Sequence, residues 1–201
     1  MKSSRFLFIS LAAVLLVAGH CHSFALPTIV IDAGHGGHDR GGVPGQRYSE
    51  KVYALDVAQR LNGKLRGAGF RTVMTRSGDY FIGLRQRCAI ANGIRGSVFV
   101  SVHFNSAPRE GANGIETYWH NGRSNSLALA IHREVVRAAG TEDRRVRRRG
   151  FYVVRNTRGP AILAELGFLT NGREGGRIAS SSAYRDSLAD ALARGVIAKY
   201  K

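Results

Sequence analysis

Four short segments, far apart in the chain, carry side chains that could together form a hydrolytic metal site. His35 lies in the glycine-rich stretch IDAGHGGHDRGG, Glu50 follows Ser49, His103 lies in SVHFN, and Glu165 lies in LAELGF. Two imidazoles and one carboxylate are a recurrent ligand set for catalytic zinc, and they leave a fourth position for water. A second glutamate that is not a ligand can accept the proton of that water. These residues therefore predict metal-assisted hydrolysis.

The two histidines have similar surroundings, which favours a shared role. His35 follows an apolar run, and the glycines beside it let the backbone turn sharply and leave room for a ligand. His103 comes at the end of another apolar run, just before Phe104 and Asn105. A single histidine after a buried strand would be interpreted as a core side chain. Two of them at neighbouring strand ends favour a common ligand role.

The two glutamates differ in their local signals. Glu50 opens a predicted helix, where a carboxylate is common because it complements the helix dipole. On local grounds, Glu50 can therefore be interpreted as a helix-start residue that binds no metal. Glu165 lies within the apolar run Ile162–Leu166, where a carboxylate is costly unless it meets a metal, a partner or water. Burial of this kind raises the pKa of a carboxyl group toward the range of a general base.

Apolar β-branched runs alternate with helical patterns along the chain. The predicted helices run from Ser49 to Gly67, over Ile82–Asn92, from the residues after Ser126 to Gly140, and over Ala183–Tyr200. This alternation predicts an α/β fold with a mostly parallel or mixed sheet covered on both faces. Ligands of such sheets lie beyond the carboxyl ends of the strands, where both histidines and Glu165 fall. The predicted strands are Thr28–Asp32, Phe70–Thr75, Ser97–Val102, Gly114–Trp119, Phe151–Val154 and Ala161–Leu166.

The amino terminus has the pattern of an export signal. Residues 1–25 combine two basic residues, the short apolar run Phe6–Ala18 and small residues before a cleavage point after Ala25. Lipidation at Cys21 and an uncleaved anchor are the alternatives. Cleavage leaves residues 26–201 as a single catalytic domain without a transmembrane span, in the periplasm, the cell envelope or the medium.

The charge of the chain predicts anionic partners. There are 30 Lys and Arg against 14 Asp and Glu, a net charge of +16. Outside the cytoplasm such a charge is suited to cell-wall polymers, and no nucleic acid is expected. A solvated loop is the simpler interpretation of each of these arginines taken singly. The densest group is Arg144, Arg145, Arg147, Arg148 and Arg149.

Taken together, the motifs resemble the zinc-dependent N-acetylmuramoyl-L-alanine amidases of the AmiC type. The resemblance covers the chain from about Thr28 to Tyr200 and rests on several segments in register. Besides the four segments above, these are Thr75-Arg76 with Asp79, Leu84 to Asn92 with Arg87, Ser101 to Asn105, Gly114 to Tyr118, and Glu165 to Asn171.

The resemblance implies a role for each site residue. His35, Glu50 and His103 fall where the family binds one zinc ion, and Glu165 falls where it has its catalytic glutamate. The implied fold is a single mixed sheet of about six strands flanked by helices. The implied reaction is hydrolysis of the amide between the lactyl group of N-acetylmuramic acid and L-alanine in peptidoglycan.

Four polar residues are candidates for supporting roles. Asp32 and Asp39 are expected either to orient the ligand imidazoles or to brace the glycine-rich turn. Asn105 and Asn171 are expected to hold substrate or loop backbone. Three further histidines are predicted to lie outside the site: His38 facing solvent, His120 in a loop and His132 on a helix surface.

Some relatives carry an inhibitory helical segment after the strand that matches Gly114–Trp119. Here the residues 120–125 are too few for such an element. The sequence therefore predicts an accessible site that needs no activator protein. Two other functions stay open at this point: a zinc peptidase acting on another amide of the stem peptide, and a non-catalytic basic module that binds the wall.

Overall fold

The computed structural model describes residues 26–109 and 111–201. The predicted signal peptide, residues 1–25, lies outside the described residues. Within the described part, no helix has both the length and the apolar character needed to cross a membrane.

A six-stranded mixed sheet forms the centre of the fold, in the spatial order β2-β1-β3-β6-β4-β5. Neighbouring strands are parallel except for β4 and β6, which pair antiparallel, so β4 and β5 run against the other four. This confirms the predicted α/β class with a single mixed, mostly parallel sheet. The strands are β1 Ile29–Ala33, β2 Thr72–Met74, β3 Val98–Asn105, β4 Ile115–Trp119, β5 Asp143–Arg148 and β6 Ala161–Phe168.

Six α-helices of the described residues cover the sheet, and the alternation of strand side chains shows which face each one meets. Successive side chains of a strand point to opposite faces. Ile29 and Ile31 pack in the larger core with α1, α3, α5 and α6, whereas Val30 packs in the smaller core with α2 and α4. Helices therefore lie on both faces, as predicted. Their bounds are α1 Glu50–Gly67, α2 Leu84–Asn92, α3 Asn125–Ala139, α4 Tyr152–Asn156, α5 Gly172–Ser180 and α6 Ser182–Tyr200.

The helix ends follow ordinary capping chemistry. At the end of α3, Gly140 has φ 61°, the left-handed conformation that a residue without a Cβ adopts at low cost. At the start of α6, the Ser181 hydroxyl accepts a hydrogen bond from the Tyr184 backbone N–H at 3.1 Å. Tyr184, Leu188, Leu192 and Val196 are all buried and form one stripe along the inner face of this helix.

Two predicted elements were wrong, and one was not predicted. The run Phe151–Val154 belongs to α4 instead of a strand, because Val153 and Val154 are both buried against the sheet through a single helical turn. Strand β5 completes the six strands of the sheet, although the simpler interpretation of its arginines was a solvated loop. The glycine-rich helix α5 carries no strong sequence signal, since Gly is a poor helix former.

One edge of the sheet collects the polar side chains that share the α2/α4 face. In β3 the residues Ser101, His103 and Asn105 point to this face, while the alternate residues join the larger core. Glu165 of β6 does the same and lies opposite His103 in the strand pairing. Because β1, β3 and β6 are parallel, their carboxyl ends meet here.

Candidate metal centre

His35 follows β1 in a backbone conformation that two buried arginines hold in place. Its φ is 60°, which is uncommon outside glycine. Arg87 donates from Nη2 to the His35 carbonyl at 2.6 Å and from Nη1 to the Ala33 carbonyl at 2.6 Å. Arg76 donates from Nε to the same Ala33 carbonyl and from Nη2 to the Gly34 carbonyl, at 2.9 and 2.7 Å. The turn that presents this imidazole is thus clamped through its carbonyl groups.

Glu50, the first residue of α1, reaches between the two histidines. Its Oε1 lies 2.8 Å from His103 Nδ1 and accepts the Phe104 backbone N–H at 3.0 Å. Its Oε2 lies 3.0 Å from His35 Nε2. Gly41 makes this approach possible, because a Cβ at that position would come within 2.5 Å of Oε2. The side chain is buried, so a carboxylate here depends on these partners.

The three side chains form a compact cluster that could hold a metal ion. The ligand atoms of His35, Glu50 and His103 lie within 4.8 Å of one another. The two imidazole rings have centroids 4.9 Å apart and an interplanar angle of 78°. Gly34 leaves room for His103, since a Cβ there would lie 2.4 Å from its Cε1. Residues from β1, α1 and β3 are thereby brought to one point.

The electrostatics of the cluster favour a positive charge between these side chains. Burial alone would raise the pKa of Glu50, but hydrogen bonds and charge from His103 and His35 lower it to about 2. Burial opposes protonation of His103, but the hydrogen bond and charge of Glu50 raise its pKa to about 9. A carboxylate that stays ionised next to two imidazoles is a suitable environment for a divalent cation.

Glu165 is the unpaired acid beside this cluster. It lies opposite His103 on β6 and opposite Glu116 on β4. Its Oε2 is buried and has no hydrogen-bond partner among the described residues. Burial raises the pKa of Glu165 to about 8; the charges of Glu50 and Glu116 act in the same direction, and that of His103 opposes them. A carboxyl group of this kind can exchange protons near neutral pH.

A cavity of about 620 Å³ opens over these side chains. One wall is apolar and exposed, with Phe81 and Leu84 near the start of α2 and Phe151 and Tyr152 near the start of α4. Asn105 lies among the polar groups of the lining. The cavity has the size of a small-molecule binding site and opens onto the His–Glu–His cluster.

The supporting aspartates occupy different positions. Asp39 Oδ2 lies 2.9 Å from His35 Nδ1, so this carboxylate does orient an imidazole. Asp32 contacts neither imidazole, contrary to the first alternative considered for it. Its oxygens are taken by Thr75, Ser101 and Arg87 at 2.7, 2.6 and 2.8 Å, which leaves it the bracing role.

The two asparagines are also separated. Asn105 lines the cavity and donates from Nδ2 to Glu116 Oε2 at 2.7 Å. Asn171 is the N-cap of α5, where its Oδ1 accepts from the backbone N–H groups of Arg173 and Glu174 at 3.0 and 2.9 Å. It lies outside the lining of the cavity and holds backbone.

Of the remaining histidines, one is not where the sequence suggested. His38 is exposed and stacks on Phe81, and His120 follows β4 in a loop. His132 was expected on a helix surface but is buried. Its ring bonds Thr117 Oγ1 at 3.0 Å and Asp143 Oδ1 at 2.8 Å, which joins α3 to β4 and β5. Because β5 was expected to be a loop, the contact of His132 with Asp143 on this strand could not be predicted.

The arginine cluster is partly committed to contacts within the fold. Arg144 and Arg147 place Nε 3.5 and 3.7 Å from Glu116 Oε1. Arg148 donates to the His120 carbonyl at 3.0 Å. Arg145 and Arg149 are exposed.

The main residues that sequence reasoning left without a role are Arg76, Arg87 and Glu116. All three are buried charged side chains. Glu116 lies in the largely apolar segment Ile115–Trp119, the same signal that identified Glu165, whereas Arg76 and Arg87 have polar neighbours and carried no such signal.

The fold and the site together define a class. An α/β domain that gathers a His–Glu–His cluster and a free glutamate at the carboxyl edge of its sheet has the arrangement of a metal-dependent hydrolase. The family model described as N-acetylmuramoyl-L-alanine amidase matches residues 29–198, and the chain belongs to this family.

Individual relatives agree with this assignment. The chain is 36% identical over 200 residues to YqiI of Bacillus subtilis (strain 168), covering 96% of both chains. It is 34% identical over 178 residues to the N-acetylmuramoyl-L-alanine amidase LytC of the same organism, covering 87% of this chain but 36% of LytC. The chain thus spans about a third of the length of that larger relative.

A solved structure agrees as well. The catalytic domain of CwlV, an N-acetylmuramoyl-L-alanine amidase from Bacillus (Paenibacillus) polymyxa var. colistinus, superposes with a TM-score of 0.82 at 34% identity. The match covers 88% of this chain and 100% of that domain. The family predicted from the sequence motifs, and with it the amidase class of activity, is confirmed.

Proposed function

We propose that the chain hydrolyses the amide between the lactyl group of N-acetylmuramic acid and L-alanine in peptidoglycan, with one zinc ion held by His35, Glu50 and His103. The observation that carries this proposal is the convergence of these three side chains beside Glu165. The proposal is also supported by two similar proteins, LytC and the CwlV domain, which are both named N-acetylmuramoyl-L-alanine amidases.

The donor set fits zinc on physical grounds. Two neutral imidazoles and one carboxylate leave a net charge of +1 on the bound ion and a free coordination position. Asp39 holds Nδ1 of His35, as the outer partner of a metal-binding imidazole commonly does. The buried and unpartnered Oε2 of Glu165 is an atom that a water or substrate in the cavity would satisfy.

The chain's own residues divide the chemistry between them. A bound zinc ion would supply Lewis acidity, which polarises a carbonyl and lowers the pKa of water to about 7. Glu165 accepts a proton from the attacking water at Oε2 and delivers it to the leaving nitrogen of L-alanine. Its raised pKa suits both directions of this transfer. The exposed apolar wall of the cavity offers a surface on which the substrate can pack beside the reacting groups.

Product analysis tests this function directly. Purified peptidoglycan is digested with zinc-loaded protein and with chelator-treated protein, and the released fragments are identified by mass spectrometry. Free stem peptides that begin with L-alanine are expected from the zinc-loaded protein alone. Cleavage within the stem peptide would identify a peptidase instead, and binding without release would identify a wall-binding module.

The enzyme acts without an activator protein in this proposal. Strand β4 is joined to α3 through a single 3₁₀ turn at Gly122–Ser124, and the cavity is open to solvent. Full activity of the purified chain on peptidoglycan is expected. A chain that is inert until a second protein is added would contradict this part.

Its place of action is the cell envelope. Export through the predicted signal at residues 1–25 would bring the catalytic domain to its substrate. The exposed arginines at the end of β5 would then retain it on anionic wall polymers through long-range attraction.

A further inference from the structure

Glu116 is a buried carboxylate next to the site that the mechanism above does not use. It lies on β4 opposite Glu165, and both side chains point to the α2/α4 face. It is 5% exposed. An ionised group at this depth needs partners that offset its loss of hydration.

Two kinds of partner surround this carboxylate. Arg144 and Arg147 approach Oε1 with their Nε atoms at 3.5 and 3.7 Å and balance its charge. Oε2 accepts two shorter hydrogen bonds, from Asn105 Nδ2 at 2.7 Å and from the Tyr118 hydroxyl at 2.8 Å. The two arginines therefore stabilise the charge of the carboxylate, and the carboxylate in turn fixes two neutral donors by hydrogen bonds.

Asn105 is the donor that reaches the cavity. It lies two residues beyond His103 on the same face of β3 and lines the cavity with Glu165. Its Oδ1 accepts the Ser106 backbone N–H at 2.8 Å, while one Nδ2 hydrogen goes to Glu116. A carboxamide carries two N–H donors, and the second meets no acceptor among residues 26–109 and 111–201.

The charge of Glu116 also decides which way the carboxamide points. Rotating the Asn105 amide by half a turn would set Oδ1 against Glu116 Oε2 and its N–H₂ group against the Ser106 N–H. Both contacts would be repulsive, because they pair acceptor with acceptor and donor with donor. A neutral acceptor at position 116 would distinguish the two orientations less strongly.

We propose that Glu116 is a positioning residue, which fixes the Asn105 amide so that its remaining N–H binds a carbonyl oxygen of the substrate beside Glu165. The inference rests on the proposed amidase function, since the muramoyl–peptide linkage is what supplies carbonyl groups at this point. Asn105 touches the substrate, and Glu116 acts through it.

The test is a double-mutant cycle on purified peptidoglycan fragments. Asn105→Ala is expected to raise KM by roughly 10-fold, with kcat within about 3-fold of wild type, because a ground-state hydrogen bond is lost. Glu116→Ala is expected to raise KM nearly as far. The double variant is expected to be no worse than Asn105→Ala, since both changes remove the same contact.

Two further variants separate positioning from a structural role. Tyr118→Phe removes the other hydrogen bond to Glu116 Oε2 and leaves Asn105 its acceptor, so KM is expected to stay near the wild-type value. The exchange Asn105→Asp with Glu116→Gln rebuilds a carboxylate–amide hydrogen bond with the donor on the other side. It is expected to restore the thermal midpoint but not KM, because position 105 no longer presents an N–H to the substrate.

The outcomes are distinct. Additive effects in the cycle, an unchanged KM for Asn105→Ala, or a normal KM in the exchanged pair would each overturn the inference. If Glu116→Ala fails to fold, Glu116→Gln takes its place in the cycle with a smaller expected rise in KM. A wild-type chain that releases no stem peptide from peptidoglycan refutes the proposed function itself. An active wild type with an unaffected Asn105→Ala refutes this inference alone.

Discussion

At the scale of single residues, the least ordinary feature is the left-handed backbone at His35. A non-glycine residue with φ near 60° costs on the order of 1–2 kcal/mol. The cost is offset by the guanidinium groups of Arg76 and Arg87, which bind the carbonyls of residues 33–35. The position of this imidazole is therefore set by main-chain contacts as much as by its own side chain.

Arg87→Lys tests this clamp. A lysine cannot bind the carbonyls of Ala33 and His35 and the Asp32 carboxylate together, so the turn loses its support. We expect zinc affinity to fall at least about 10-fold and unfolding free energy to fall by about 3 kcal/mol. Competition with a chromogenic chelator and urea titration measure the two effects. Arg85→Lys, exposed on the same helix, is the control and should match the wild type.

Glu165→Gln tests the acid–base role. Glutamine keeps the size of the side chain but cannot accept and return a proton. We expect kcat to fall by about 10²–10⁴-fold. Zinc content should stay at one ion per chain, because no ligand is removed. Undiminished turnover, measured by release of stem peptide, would show that another group takes the proton.

At the same scale, the sequence was informative at two positions where a polar residue interrupts an apolar pattern. His103 and Glu165 could be found in this way, and the resemblance to the amidases supplied Glu50, whose local signal is that of any helix start. Glu116 carries a similar signal on β4. Its contact with Asn105 depends on strand pairing, which a single sequence does not reveal.

At the scale of elements, α4 and β5 show why the sequence and the structure differ. The run Phe151–Val154 is short and apolar, and periodicity cannot distinguish a strand from a buried helical turn over so few residues. Strand β5 is rich in arginine because it is an edge strand, where charged side chains face water and discourage pairing with other chains. Both elements are decided by their neighbours in space.

Asn171→Ala tests the cap of α5, the helix that the sequence did not predict. Its side chain caps two backbone N–H groups at the start of α5. We expect the unfolding free energy to fall by about 1 kcal/mol, with kcat/KM unchanged because Asn171 lies outside the cavity lining. Asn171→Asp retains the cap and should restore the loss. A fall in kcat/KM with normal stability would instead indicate a contact with substrate.

At the scale of the whole molecule, the excess of Lys and Arg over Asp and Glu, which persists after removal of the predicted signal with its Lys2 and Arg5, governs how the protein meets its polymer substrate. Wall binding is expected to weaken by roughly 10-fold or more between low and high ionic strength, because salt shortens the range of the attraction. Sedimentation with purified walls measures this. Binding that is indifferent to salt would exclude an electrostatic contribution.

The location of the attractive charge can be tested with matched variants. Arg145→Gln with Arg149→Gln removes one exposed charge within β5 and one just after it, and Arg66→Gln with Arg71→Gln removes two exposed charges elsewhere on the surface. If the arginine cluster is the binding surface, the first pair weakens sedimentation with walls more than the second. Equal effects would show that net charge alone is responsible.

Metal removal is the second test at this scale. A ligand that binds the folded state alone stabilises it by RT ln(1 + [L]/Kd), which is about 4 kcal/mol at 1,000 times Kd. The cluster joins β1, α1 and β3, so its ion would stabilise three elements at once. We expect chelation to lower the thermal midpoint and re-added zinc to restore it. His103→Ala should have a low midpoint that zinc does not change.

The antiparallel pairing of β4 with β6 has one more consequence. Glu116 and Thr117 point to opposite faces, so a slip of one position along this ladder would exchange them. Thr117 would then face the cavity, and Glu116 would pack against α3. Such a chain would lose the contact between Glu116 and Asn105 and would bury the carboxylate away from Arg144 and Arg147. The register of β4 against β6 therefore determines which side chains line the cavity beside Glu165.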